Sequence, residues 1–363
     1  MITAQSIYNS RGASYLTKGM SLNHHYIERL QRIGIDDVNV TSLDPALKLP
    51  PPDDIVQEKT RISAIHRIFD VFQQLDREDY LSLDPLHDIS ETILLDLLTQ
   101  RRNLVQLTDL RLHDTYTFAH SVNVAILSAM LGLLCHYSKK NLLDLTLGGL
   151  LHDIGKLVIP DTILNKPGRL DQNEIDIIRM HPETGRQQLK KLMLPSALVA
   201  TIALQHHEHL NGSGYPNHLQ GDQIHRFSRI VAIADVYDAL TSTRPYKKAY
   251  MPSVAYRIMT TCSEGQFDEE LLRLFFANVA VYPIGTIMKT RLGYGIVKQV
   301  DFGQTLSPIL CVFATSSAKP LEKTFLVDLR QCPADVIEKV LSDIELYHFI
   351  HQINIDPAVF LST

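Results

Sequence analysis

Cysteine is sparse in this chain of 363 residues. Its four cysteines, Cys135, Cys262, Cys311 and Cys332, lie far apart and form no Cys-x-x-Cys pair, which speaks against a zinc ribbon and a disulfide framework. Neither sign of charge is in large excess: 35 Lys and Arg against 40 Asp and Glu leave a net charge of −5. A basic coat for a nucleic-acid polymer is therefore not expected. The sequence has no uninterrupted apolar run of about 18 residues, so no membrane-spanning helix is expected. Residues 1–15 lack the basic-then-apolar build of a secretory signal. Free thiols without an export signal lead to the expectation of a reducing, cytoplasmic location. Hydrophobic residues make up 45% and charged residues 21%, a balance that excludes global disorder and supports a buried core. At about 100–200 residues per domain, the chain has room for two or three domains.

The pattern changes several times along the chain. Ile7-Tyr8 and Tyr15-Leu16 flank a turn at Asn9-Ser10-Arg11-Gly12, which reads as a hairpin. Residues 22–34 have helical spacing, with Ile27, Leu30 and Ile33 on one face, and Val38-Asn39-Val40 reads as a closing strand. Residues 1–48 are thus expected to form a small α/β module. Leu49-Pro50-Pro51-Pro52 reads as a linker, since its prolines neither continue a helix nor join a central strand. Over residues 55–107 the period is helical, with Ile62, Ile65, Ile68, Phe69 and Phe72 at three- and four-residue steps. Asp84-Pro85 is expected to break that pattern, with a second helix from about Ser90. Residues 49–108 are therefore linker and connecting helices. No strand-like alternation follows until about residue 275, so the central unit, residues 109–280, is expected to be all helical. Residues 281–332 then carry Thr286-Ile287-Met288, Gly295-Ile296-Val297, Ile309-Leu310-Cys311-Val312-Phe313 and Thr324-Phe325-Leu326-Val327, with a turn at Leu292-Gly293-Tyr294. They read as about four short strands of a small β appendage. A last helix over 334–346 is expected within the tail, residues 333–363.

Histidine is what the chain has in quantity, 16 residues with several in one stretch. Three His-Asp dipeptides occur, so a single one is weak evidence. His87-Asp88 and His113-Asp114 each precede an expected helix start, where Asp88, Ser90 or Asp114 would cap. His152-Asp153 differs, because it closes the apolar run 142–151 and continues as Ile154-Gly155-Lys156. Two metal-competent side chains then sit in a dry place, where an uncompensated carboxylate is costly and a cation removes that cost. Gly155 lets the backbone turn, and Lys156 brings a point charge suited to phosphate.

Further ligand types join that pair. His120 shares an apolar helix with Val124, Leu127 and Leu131, and His181 follows a helix at 174–180 and precedes Pro182. His206-His207-Glu208 ends the apolar helix 198–204, and Asp235 ends the apolar run Ile230-Val231-Ala232-Ile233-Ala234. A lone histidine on such a face is usually a hydrogen-bonded core residue. Five histidines and two aspartates, each on an apolar helix or at its end, point instead to a metal cluster. They exceed the ligand set of a structural zinc site and suit two ions sharing a carboxylate. Imidazole with carboxylate favours iron, manganese, nickel or zinc over calcium, magnesium and copper(I). Paired ions are the standard arrangement for displacement at phosphorus. Asn211-Gly212-Ser213-Gly214-Tyr215-Pro216 imposes a tight bend after the paired histidines. Thr243-Arg244-Pro245-Tyr246-Lys247-Lys248 is by itself a solvated basic turn, but it follows Asp235 closely enough to face a polyanionic substrate.

His152-Asp153-Ile154-Gly155-Lys156, His206-His207-Glu208, Gly214-Tyr215-Pro216, Ala234-Asp235-Val236-Tyr237-Asp238-Ala239-Leu240 and Arg244-Pro245-Tyr246-Lys247, in this order, resemble the HD-GYP family. These are bacterial phosphodiesterases within the HD superfamily, and the resemblance spans residues 110–275. It implies a mainly α fold: an HD-type helical bundle as catalytic domain, with the small N-terminal α/β module and the small C-terminal β appendage on its flanks. By the same resemblance His120, His152, Asp153 and Asp235 would hold one divalent metal. Asp153 would bridge to a second, held also by His181, His206 and His207. Asp153 and Lys156 would be catalytic, Lys156 as the phosphate-binding lysine. Arg244 and Lys247 would contact substrate, with Tyr215 beside the site.

The implied cofactors are two divalent ions, iron or manganese before nickel or zinc. The family's usual substrate is cyclic di-GMP, opened to linear pGpG and in some members cut on to GMP, while some members prefer cyclic GMP-AMP. Other expected partners are signalling proteins at the GYP loop or the N-terminal module, and a second copy in a homodimer. A degenerate member would bind the nucleotide as a sensor, but all seven ligand residues are present here. Hydrolysis of (p)ppGpp, dNTPs or cyclic AMP, reactions of other superfamily members, is disfavoured by Gly214-Tyr215-Pro216 with the paired histidines. Two positions depart from the family pattern. Tyr116 stands where some members carry a glutamate that supports a third metal, and Asn211 where many have Asp.

Overall fold

The computed structural model describes residues 2–3, 7–8, 14–17, 19–32, 38, 40–41, 55–75, 83–99, 116–164, 166, 168–192, 196–242, 249–333, 335–353, 355 and 357–361. At the N-terminus follow strands β1 (Ile2–Thr3), β2 (Ile7–Tyr8) and β3 (Ser14–Leu16), helix α1 (His24–Arg32) and strand β4 (Val40–Thr41). The expected hairpin forms, with Ile7 opposite Leu16, and β4 closes on β1, with Ile2 opposite Thr41. Leu30 of α1 and Leu16 of β3 are the buried centre of this module, with Tyr26 packed beside them. Ile27 is exposed, contrary to the expected face: the buried stripe of so short a helix is one side chain wide, and Tyr26 and Leu30, four apart, fill it. Ile33 and the proline linker lie outside the described residues.

Two long helices come next, α2 (Glu58–Leu75) and α3 (Asp84–Thr99). Ile65, Ile68 and Phe72 of α2 are buried as their spacing predicts, and so is Arg61, one turn ahead of Ile65. Buried Asp96 of α3 accepts from the Gln57 N–H at 3.1 Å and from Thr60 Oγ1 at 2.7 Å, which ties the start of α2 to α3. Asp84-Pro85 opens α3 instead of breaking the pattern, because a proline in the first turn removes an N–H that has no intrahelical acceptor anyway. His87, Asp88 and Ser90 therefore lie inside α3 and do not cap it, and Ser90 Oγ donates back to Leu86 O at 2.7 Å. His113-Asp114 lies outside the described residues.

The central bundle contains α4 (Tyr116–Leu134), α5 (Lys139–Leu151), α6 (Asp161–Leu164), α7 (Gln172–Arg179), α8 (His181–Lys191), α9 (Ala197–Gln205), α10 (Arg226–Thr241), α11 (Pro252–Arg257) and α12 (Glu269–Asn278). α4 packs on α5 and α10, and α9 packs on α5 and α8. Residues 120–132 of α4 are all buried, as expected of a helix enclosed on every side. Sequence sets several boundaries. Ser138 caps α5 through the Asn141 N–H, and Asp171 with Glu174 forms a capping box on α7. His181 does not merely follow a helix: it opens α8 directly after α7, with Pro182 in the first turn. No described helix is long and apolar enough to cross a membrane.

The C-terminal region is one antiparallel sheet of β5 (Ile287–Thr290), β6 (Gly293–Gln299), β7 (Ile309–Ala314), β8 (Pro320–Asp328) and β9 (Ile337–Val340), in the order β8-β7-β6-β5-β9. Alternation along the strands feeds two apolar layers. Ile287, Ile296, Cys311 and Phe313 pack under helix α13 (Asp343–Ile353), while Met288, Val297 and Leu310 pack with Leu329 and Val336 on the other face. The tail departs from expectation. Residues 337–340, expected as helix, form the fifth strand on β5, with Met288 opposite Val340, and the helix starts later, at Asp343. The expected turn also shifts, since Gly293 and Tyr294 are already in β6.

Candidate metal centre

Three helix ends bring their histidines to one place by a shared device. His152 caps the C-terminus of α5 and His206 that of α9, while His181 follows the end of α7. The last carbonyls of a helix have no intrahelical partner. Each of these histidines turns Nδ1 back onto the carbonyl three residues earlier: His152 to Gly149 O at 2.7 Å, His181 to Ile178 O at 2.7 Å, and His206 to Ala203 O at 2.9 Å. A carbonyl only accepts, so Nδ1 carries the proton and Nε2 presents a lone pair inward. His120, inside α4, uses a carboxylate instead, with Nδ1 2.7 Å from Asp238 Oδ2.

The Nε2 atoms converge on Asp153. Its Oδ2 lies 3.4 Å from His152 Nε2 and 3.9 Å from His120 Nε2. Its Oδ1 lies 3.3 Å from His181 Nε2 and 3.7 Å from His206 Nε2. Each carboxylate oxygen thus faces a different pair of imidazoles. Asp235 on α10 closes the far side, with Oδ1 3.1 Å from His120 Nε2 and Oδ2 3.9 Å from His207 Nδ1. Two sets of ligand atoms, each within 4.8 Å of one another, share Asp153: His120 with His152, and His181 with His206 and His207.

This donor set fits cations. His152 Nε2 and Asp153 Oδ1 are buried without a hydrogen-bond partner. His181 Nε2 faces His206 Nε2 at 3.3 Å, and with both protons on Nδ1 two lone pairs oppose each other. A shared cation turns each of these costs into a bond. The charges agree. Burial pushes against ionisation of Asp153, but Lys156 and then His152 outweigh it and hold the carboxyl well below its ordinary range. Asp235 is depressed too, burial being outweighed by its hydrogen bond to His120. Burial drives His181 down to about 3 and His207 well below its usual value. His120 goes the other way: burial opposes its charge, yet the hydrogen bonds to Asp235 and Asp238 raise it to about 9.

The segment after Asp153 is held by contact. A 3-10 turn, Ile154–Val158, carries Lys156, whose Nζ sits 2.5 Å from Asp153 Oδ2. A Cβ on Gly155 would lie 2.0 Å from His181 O. Gly155 is therefore required for this close approach of two ligand-bearing segments, and not for the bend expected from sequence.

The loop after α9 folds back over the cluster. Buried Glu208 accepts from the N–H groups of Asn217 at 2.6 Å and Leu219 at 3.0 Å, and Tyr215 N–H donates to His207 O at 3.1 Å. A Cβ on Gly214 would lie 2.3 Å from His209 N, so only glycine fits there. Tyr215 stacks on His207 with centroids 4.8 Å apart, and the Arg179 guanidinium lies 5.4 Å from the Tyr215 ring. Asn211 anchors the loop through its side-chain oxygen, which accepts from Ser213 N–H at 3.0 Å, and through its own N–H to Gly265 O at 2.9 Å.

All seven candidate ligands, together with Lys156 and Tyr215, are thus brought together. Arg244 and Lys247 lie outside the described residues. Arg61, Asn123, Arg179, Glu208 and Asp238 also stand around the site, with no role evident from the sequence alone. Spacing could have found two of them, since Asn123 lies three residues after His120 and Asp238 three after Asp235, each on the same helix face.

Residues 97–271 match the family model of the HD domain. A cyclic di-GMP phosphodiesterase of Pseudomonas aeruginosa is 37% identical over 251 residues, 68% of this chain and 60% of that protein. The cyclic di-GMP phosphodiesterase response regulator RpfG of Xanthomonas campestris is 48% identical over 106 residues, 29% of this chain and 28% of that protein. The 3′3′-cGAMP-specific phosphodiesterase 1 of Vibrio cholerae is 39% identical over 168 residues, 46% of this chain and 39% of that protein. The chain spans 60% or less of the length of these relatives. The matched region, residues 97–271, is thus an HD domain, and the motifs gathered around Asp153 resemble those of the HD-GYP group.

Proposed function

We propose that this chain is a metal-dependent phosphodiesterase that opens cyclic di-GMP to linear pGpG, with GMP as the product of a second cut. One observation carries the reading: each oxygen of Asp153 faces its own set of histidine Nε2 atoms. The names of the relatives, which include cyclic di-GMP phosphodiesterases, support it.

In this reading residues 109–280 are the catalytic unit. His120, His152, Asp153 and Asp235 hold one divalent ion, and Asp153, His181, His206 and His207 hold the other. Imidazole with carboxylate favours iron or manganese, with nickel or zinc as weaker candidates. Bound there, the ions supply Lewis-acid stabilisation at phosphorus and a nucleophile from water at neutral pH. Lys156 adds positive charge beside Asp153, where the phosphoryl oxygens gain charge as the bond to the 3′ oxygen breaks. Tyr215, fixed on His207 by stacking, forms a wall on which a substrate ring can rest. Arg244 and Lys247 are assigned to the second phosphate or a guanine.

Cyclic GMP-AMP is the second substrate to consider, since one relative is named for it. The test is a product assay on protein purified without oxygen and loaded with Fe(II) or Mn(II), given both nucleotides in parallel, with Asp153→Ala as control. The reading predicts a linear dinucleotide that disappears in the control. Metal-loaded protein that cuts neither nucleotide overturns it.

A further inference from the structure

We infer that Arg61, on α2 and outside the matched region 97–271, is a positioning residue for His120, acting through Asn123 and Asp238. The inference rests on the metal-centre reading above. Arg61, Asn123 and Asp238 are all buried. A guanidinium in such a place needs acceptors and a counter-charge. Arg61 Nη1 donates to Asn123 Oδ1 at 2.8 Å, and Asn123 Nδ2 donates to Asp238 Oδ1 at 2.8 Å. The other oxygen of Asp238 accepts from His120 Nδ1 at 2.7 Å.

The order of donors along this path fixes its direction. A primary amide has one accepting end and one donating end. With Arg61 against Oδ1, the amide of Asn123 must turn its N–H to Asp238, because the flipped amide would set N–H against a guanidinium. Asp238, also held by Ser242 Oγ at 2.9 Å, then keeps the proton of His120 on Nδ1. That leaves Nε2 to face Asp235 and Asp153. A carboxylate behind a ligating histidine fixes its tautomer and ring orientation. Here the path runs one residue pair further, to a helix that precedes the matched region, so α2 completes the metal centre as well as covering the bundle.

The test compares Arg61→Met, which keeps the length and removes the donors, with Ile65→Ala, which weakens the packing of the same helix one turn away. Metal affinity is measured by chelator competition, without substrate, so the result is independent of which phosphodiester is cut. Arg61→Met is expected to weaken metal binding about 10–100-fold, the range for losing a partner that orients a ligating histidine, while Ile65→Ala leaves it unchanged. In metal-free protein the His120 Nδ1 proton is expected as a slowly exchanging, downfield NMR resonance that Arg61→Met alone displaces. If Arg61→Met does not fold, Arg61→Lys carries the test: one retained donor should give an intermediate loss. Unchanged affinity in the Arg61 variants, or an equal fall in Ile65→Ala, overturns the inference.

Discussion

The helical bundle and the C-terminal sheet both bury polar groups, but in different ways. In the sheet region, buried Thr290 donates to Gly293 O within its own hairpin at 2.8 Å, and buried Thr305 donates to Phe276 O on the bundle. Each hydroxyl has a backbone acceptor, and the neighbouring strands are filled by apolar side chains. In the bundle, His120, His152, Asp153, His181, His206 and Asp235 are buried around one point. Their outward atoms have backbone or carboxylate partners, whereas His152 Nε2 and Asp153 Oδ1 have none. Buried polar groups are normally satisfied. A set satisfied on one side and unsatisfied on the other marks a place built for something else to bind.

The largest test of that contrast is Asp153→Ala. It removes the carboxylate common to both ligand sets. Turnover should fall by more than about 10²–10³-fold, the loss typical of removing one charge-stabilising group, as read by product chromatography. Phe313→Ala probes the other side of the comparison. Phe313 is buried between Phe349 and Phe360, so its loss should destabilise the sheet by about 3–5 kcal/mol in denaturant unfolding, with metal affinity of the folded protein unchanged. A Phe313→Ala protein that loses metal while folded would break the separation of the two regions.

Two smaller effects sharpen it. Glu208→Gln keeps one acceptor for the N–H groups of Asn217 and Leu219 but removes the charge. It should lower stability by about 1–3 kcal/mol and raise KM, with metal affinity retained. Tyr215→Leu removes the stack on His207. The loss of about 0.5–1.5 kcal/mol should show as a modest rise in KM at constant kcat.

How much of this was legible in the sequence follows from the range of the interactions involved. The bundle helices and the seven ligand candidates could be read because apolar periodicity and helix ends are local properties. Residues 337–340 could not: Ile-Glu-Lys-Val carries helix-forming residues at its centre, and only pairing with β5 makes it a strand. Pro85 reads as a breaker by local pattern, yet the first helical turn accepts proline. Arg61 sat on an apolar face, where one charge among isoleucines was the available signal. Its partner Asn123 is 62 positions away, beyond the reach of any local pattern. Glu208 stands in the sequence beside the paired histidines, but its work is to hold two backbone N–H groups of a loop that only the fold brings back to it.

The central claim is that the histidines around Asp153 form a dinuclear metal centre. The direct measurement is the metal stoichiometry of protein loaded anaerobically with Fe(II) or Mn(II) and freed of loose ions, with Asp153→Ala in parallel. The account predicts two ions per chain in the parent and loss of stoichiometric metal in the variant. A parent that holds no metal, or a variant that keeps the parent's full complement, would contradict it.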